Sequence, residues 1–204
     1  MVAKSTFNSA LLLQNMKKPV DALLAIKKAI AIADSINDLN NFSAYYHTLA
    51  GILTDEKRYK EAKAAEQTAL KYAKQTGHNR QEANVLGGIA KIYLEENDYQ
   101  AAVKYGLQAY TVFNELKDLG REQAAAAFLA DVYSKTGDNE LAYRFLKISS
   151  SLNDSLLQKR FDEENARLQT AFEVKQKESE IEMLNKDKLL QKQQLSRQQL
   201  LLFG

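Results

Sequence analysis

The sequence predicts an all-α chain: a right-handed superhelix of four repeats of about forty residues (eight helices), followed by one long C-terminal helix. Three observations predict it. Breakers are scarce in the 204 residues, with one proline and eight glycines, and residues that favour helices fill the chain. Small residues recur at a constant stride of forty: Ala10, Ala50, Ala90 and Ala130; Ala22, Ala62, Ala102 and Ala142; Ala29, Ala69, Ala109 and Ser149. Beyond residue 152 the stride fails, because Thr170 stands forty after Ala130 and Glu182 forty after Ala142, yet no glycine or proline interrupts residues 155–203.

Each unit reads as two helices. The first unit (about 3–42) carries Ala10 and Leu13, a turn at Lys17-Lys18-Pro19, then Ala22, Ile26 and Ala29. Pro19 falls in the first turn of a helix, where proline is tolerated. The second unit (43–82) places Tyr46, Leu49, Ala50 and Leu53 at helical spacing. After a polar break at 55–58 come Tyr59, Ala62, Ala69 and Leu70, and Gly77 supplies a left-handed cap. The third unit (83–122) repeats this with Leu86, Ile89, Ala90 and Tyr93, a break at 96–98, then Tyr99, Ala102 and Ala109. The fourth (123–152) has Leu129, Ala130 and Tyr133, a Gly137-Asp138 turn, and an expected core of Ala142, Leu146 and Ser149. The alanines have a mechanical reason: two helices approach closely only where a small side chain faces the neighbour, and larger residues fill the remaining volume.

Residues 153–204 form a second region. Ser155-Leu156-Leu157-Gln158 matches a capping box, which predicts a new helix start there. Phe161, Leu168 and Ala171 fit one heptad seam, and Ile181 and Leu184 fit another out of phase with it. The reading is a weak coiled coil, with Phe161, Leu168, Phe172, Ile181 and Leu184 as the dimerisation candidates. The apolar run at 200–203 reads as the onset of a membrane span beyond it.

Two stretches carry a family resemblance: Leu86-x2-Ile89-Ala90-x2-Tyr93 with Ala102-x3-Gly106 and Ala109, and Ala126-x2-Leu129-Ala130-x2-Tyr133 with Ala142-x3-Leu146 and Ser149. They resemble tetratricopeptide (TPR) repeats over about residues 3–150. The departures are the missing tryptophan, the missing terminal proline, and forty residues per unit in place of thirty-four. The resemblance implies a scaffold whose first helices line a concave groove for a peptide or protein ligand. In the repeat register that face takes Phe7, Leu11 and Asn15 from the first unit, and His47, Gly51, Thr54 and Asp55 from the second. The third contributes Asn84, Gly87, Lys91 and Glu95, and the fourth Ala127, Asp131, Ser134 and Lys135. A clamp for acidic chaperone tails is disfavoured, since its positions hold Phe7, Leu11, Thr48, Asn84 and Gly88.

The order of array, Glu/Lys/Gln-rich helix and apolar onset also resembles bacterial sensor histidine kinases. That likeness implies the sensor segment of a two-component protein, periplasmic at the inner membrane, homodimeric through its C-terminal helix, with an output domain beyond residue 204. Lys186, Lys188, Lys192 and Arg197 sit uneasily with it, because basic flanks favour the cytoplasmic side. The alternatives are a free-standing cytoplasmic TPR adaptor and a peptide-binding TPR regulator.

Chemistry is sparse. Net charge is +2 with both signs interspersed, which gives no basic face for nucleic acid. There is no cysteine, and the two histidines, His47 and His78, have no partners at metal-ligand spacing. No phosphate loop or nucleophile elbow appears. The expectation is a chain with no catalytic residues, no metal and no cofactor.

Overall fold

A computed structural model describes the backbone of residues 2–203 and the side chains of residues 2–197. Eight helices follow one another: α1 (Val2–Asn15), α2 (Pro19–Ser35), α3 (Leu39–Asp55), α4 (Tyr59–Thr76), α5 (Asn79–Glu95), α6 (Tyr99–Glu115), α7 (Leu119–Thr136) and α8 (Asn139–Phe203). The chain divides into two compact units, residues 1–154 and 155–204. In the first, α1 pairs with α2, α3 with α4 and α5 with α6, and each hairpin packs on the next through α2–α3, α4–α5 and α6–α7.

The helices are cut to length by one turn used again and again. Residues 17, 37, 57, 77, 97, 117 and 137, twenty apart, all have positive φ. At each, the amide of the following residue donates to the carbonyl five residues back, as in Arg58 N–H to Leu53 O, at 2.8–3.1 Å. The amide of the positive-φ residue itself donates three residues back, at 2.9–3.2 Å. This pair of bonds is the Schellman motif, which satisfies carbonyls that a helix end leaves unpaired. The residue after the turn caps the next helix: the carboxylates of Asp98, Asp118 and Asp138 accept from the amides of Ala101, Arg121 and Leu141. Only Gly77 and Gly137 meet the left-handed backbone without steric cost. Lys17, Asn37, Lys57, Asn97 and Lys117 adopt φ of 51–62° with a Cβ in place.

With helix length fixed, the small residues land in register. Ala10, Ala22, Ala29, Ala50, Ala62, Ala69, Ala90 and Ala102 are fully buried, and Ala109, Ala130 and Ser149 nearly so. Ring pairs repeat with the same stride. Tyr93 stacks on Tyr105, and forty residues on Tyr133 stacks on Phe145, both with centroids 5.6 Å apart. The fourth unit departs from expectation at its second helix. Leu146, expected in the core, is 58% exposed, and Ala142 is only partly buried. The equivalent positions Ile26, Glu66 and Gly106 are buried under the next hairpin, and among the described residues no fifth hairpin covers Leu146.

The capping box at Ser155 does not open a new helix, because α8 runs through it. The turn register gives the reason. The next left-handed position would be Leu157, in Leu156-Leu157-Gln158; Lys17, Lys57 and Lys117 bear the same steric cost where the following helix buries alanines, whereas residues 157–197 are exposed and no packing offsets it. The helix therefore has no stop. In the second unit Leu157, Phe161, Leu168, Phe172, Ile181 and Leu184 are all more than half exposed. The run at 200–203 is helical in backbone, and its side chains lie outside the described residues. Among the described residues no helix is long and apolar enough to cross a membrane.

The strained turns give a direct prediction. Lys57→Gly relieves the Cβ clash at φ 60° and raises stability by about 1 kcal/mol, whereas Gly137→Ala lowers it by a similar amount. Urea unfolding midpoints check both, and a Lys57→Gly midpoint that does not rise, or a Gly137→Ala midpoint that does not fall, would contradict the strain.

Candidate functional site

The first helices of successive hairpins lie side by side, α1 beside α3 and α3 beside α5. Asp55 at the end of α3 ties three of them together. It accepts from Gln14 Nε2 of α1 at 2.9 Å and pairs with Lys91 Nζ of α5 at 3.6 Å. Farther along, the Arg121 guanidinium of α7 donates to the side-chain oxygen of Asn84 in α5 and lies over the Phe113 ring.

Between α3, α5, α6 and α7 opens a cavity of about 340 Å³. Its walls are small or aromatic: Gly87 and Gly88 on α5, Gly106 and Ala109 on α6, and Phe113 and Phe128 on either side. Its polar groups are His47, Asn84, Lys91 and Arg121. The cavity exists because the repeat places glycine or alanine where larger residues would fill it. Gly87 has open space before it, since a Cβ there would find nothing nearer than Ala109 Cβ at 4.0 Å.

Beneath the floor lies a buried hydrogen-bonded pair. The Glu66 side chain, on α4, is 1% exposed, and both its oxygens meet His47 Nδ1, at 2.9 and 3.1 Å. A Cβ at Gly88 would overlap the Glu66 carboxyl and the His47 ring, so glycine is required there by the pair. Burial holds the Glu66 carboxyl above the usual carboxylate range, against the opposite pull of the His47 hydrogen bond and charge.

Of the groove residues expected from the sequence, the cavity brings together His47, Asn84, Gly87 and Lys91. Asn15 and Asp55 line a separate depression with Gln14, Pro19 and Ile52. The others lie elsewhere. Phe7 packs into the first core cluster with its ring 4.7 Å from that of Tyr45, and Thr54 is buried with its hydroxyl donating to Ala50 O. Gly51 faces Gln14, and Leu11 is exposed at the edge of the first hairpin. Asp131 pairs with Lys135 one turn on, and Glu95 and Ser134 are exposed near the ends of α5 and α7. Ala127 is half-buried on α7.

Arg121, Phe113, Phe128, Gly106 and Glu66 escaped the sequence reading. For Glu66 a signal exists: its register position holds Ile26 and Gly106 in neighbouring units, so a carboxylate there breaks the pattern.

Residues 41–115 match the tetratricopeptide repeat family. The fold of the array is shared by solved structures of low sequence identity. BtubC (BKLC) from P. vanneervenii superposes with a TM-score of 0.68 at 15% identity, over 76% of this chain and 64% of that one. Aspartyl phosphate phosphatase F from Bacillus subtilis gives 0.71 at 18% identity, over 76% and 40%. A Rap protein complexed with competence and sporulation factor gives 0.70 at 21% identity, over 78% and 46%. The chain thus spans less than two thirds of the length of these structures. No curated protein sequence matches it.

The buried pair predicts a pH dependence with a definite sign. Folding raises the affinity of Glu66 for its proton, so its contribution to stability is complete below the ordinary glutamate range and is lost as pH rises through the higher folded value. Glu66→Gln cannot ionise. Its urea midpoint therefore improves relative to the parent as pH is raised from about 4 to about 7, and a constant gap would contradict the shift.

Proposed function

We propose that the TPR-type array is a non-catalytic binding module that takes an extended peptide or protein segment across α3, α5 and α7. The observation that carries this reading is the cavity at Gly87. It is an apolar recess lined by Phe113 and Phe128, open at the surface and edged by the polar side chains of His47, Asn84, Lys91 and Arg121. A recess of that size seats one or two large apolar side chains, and fixed polar groups at its edge suit main-chain carbonyls or a carboxylate. The Rap protein solved with competence and sporulation factor has the same fold, which supports a regulatory, binding role over a purely structural one.

The order of parts supports a second reading, the sensor segment of a two-component signalling protein. In it the array binds its ligand, and the continuous helix α8 carries the state of the groove to an output domain. It draws on the array, the charged helix and the apolar run at 200–203, and it places the binding module beside a membrane, on its periplasmic face. It requires the two helices of a dimer to leave the array in the same direction, and a ligand that favours one packing of them over another.

Selection of random peptides of about twelve residues against the whole chain tests the groove. The expected result is a set sharing a large apolar residue, with affinity falling more than tenfold on Gly87→Leu, which fills the recess, and several-fold on Arg121→Ala. Peptides that bind the Gly87→Leu protein as well as the parent, or no retained peptide at all, would overturn the groove reading.

A further inference from the structure

The exposed face of the second unit is built to meet a second copy of itself running the other way. At about 100° per residue, Leu157, Phe161, Leu168 and Phe172 fall within an arc of about 60° on α8. All four are solvent-exposed, Phe161 and Phe172 each at 62% and Leu168 at 59%. Three charged residues interrupt this stripe, Glu164, Lys175 and, at its far end, Glu182. The stripe then continues through Ser179 and Met183, the whole set staying within an arc of about 100°. Ile181 and Leu184, the dimerisation candidates that fit a second seam out of phase with the first, fall on the opposite face.

The spacing is symmetric about Thr170. Turned end for end, the stripe sets Leu157 beside Met183 of a second copy, Phe161 beside Ser179 and Leu168 beside Phe172, and brings Lys175 to within one residue, about 1.5 Å, of level with Glu164. The small Ser179 leaves room for the Phe161 ring. On one flank Arg160 comes within two residues, about 3 Å along the axis, of Glu178. Each match occurs twice by the two-fold axis. A parallel, in-register pair would instead set Glu164 against Glu164 and Lys175 against Lys175, in the seam where like charges cost most.

We infer that α8 pairs with α8 of a second copy as an antiparallel two-helix seam over residues 157–183, held in register by reciprocal Glu164–Lys175 pairs. The inference rests on the charge and apolar pattern of the second unit alone and is independent of what fills the groove. It also bears on the two functional readings, because an antiparallel pair sends the chains apart beyond the seam. A dimeric adaptor suits that arrangement, and a pair of helices entering one membrane does not.

Sedimentation equilibrium on the full chain tests it. The parent is expected to dimerise. Glu164→Lys and Lys175→Glu should each weaken the dimer about tenfold or more, and the double reversal should restore affinity to within about threefold. Under parallel pairing each single reversal only exchanges one like-charge contact for another. The absence of cysteine allows a second readout. A Phe161→Cys chain should form a disulfide with a Ser179→Cys chain and not with itself, since two copies of residue 161 lie about 27 Å apart along an antiparallel seam. A monomeric parent, single reversals without effect, a double reversal that fails to recover, or efficient self-crosslinking of Phe161→Cys would each overturn the inference.

Discussion

The fold depends on a turn that recurs every twenty residues. At each, one amide reaches back five residues and another three, and the chain passes through a left-handed residue. The bonds close one helix while the following residue starts the next, so five of the helices between these turns hold 17 or 18 residues and α2 holds 17. That constancy puts Ala10, Ala50, Ala90 and Ala130 at equivalent places against their neighbours. Without it the alanine stripe of one hairpin would rotate out of phase with the next by about 100° per residue gained or lost. The long C-terminal helix begins where the register lapses: beyond residue 152 the alanine stride fails, no buried hairpin offsets a left-handed turn at Leu157, and α8 continues to Phe203.

The groove arises where the repeat is broken chemically rather than geometrically. Gly87, Gly88, Gly106 and Ala109 withdraw volume from one region between α5 and α6. Gly88 does so to admit a buried pair, since Glu66 needs the space that a Cβ would take. A carboxylate that is 1% exposed is tolerated only because His47 meets both its oxygens. The pair in turn fixes the His47 ring at the wall of the recess. Packing and recognition are therefore coupled at the same few residues.

Much of the array was legible in the sequence. The forty-residue stride, the hairpins and the glycine caps at 77 and 137 all follow from residue identity, because alanine and glycine carry strong steric signals. The half-stride of twenty was not, because five of its seven left-handed positions are lysine or asparagine, which are ordinary in many settings. The capping box at Ser155 misled for a related reason: a box can mark a helix start only where something ends the helix before it. In the groove, a single register line found His47, Gly87 and Lys91. Phe113 escaped because it lies on a second helix. Arg121 escaped because it reaches in from the start of α7, and its equivalents Asn41 and Gln81 are not basic.

The most direct measurement is amide hydrogen exchange at the residues that close the turns: Asp38, Arg58, His78, Asp98 and Asp118. Their amides donate to helix carbonyls at 2.8–3.1 Å. The account predicts that they exchange as slowly as amides in the middle of the neighbouring helices, because opening any one of them frees the register of everything stacked on it. Exchange at these five positions as fast as in an open loop would contradict it.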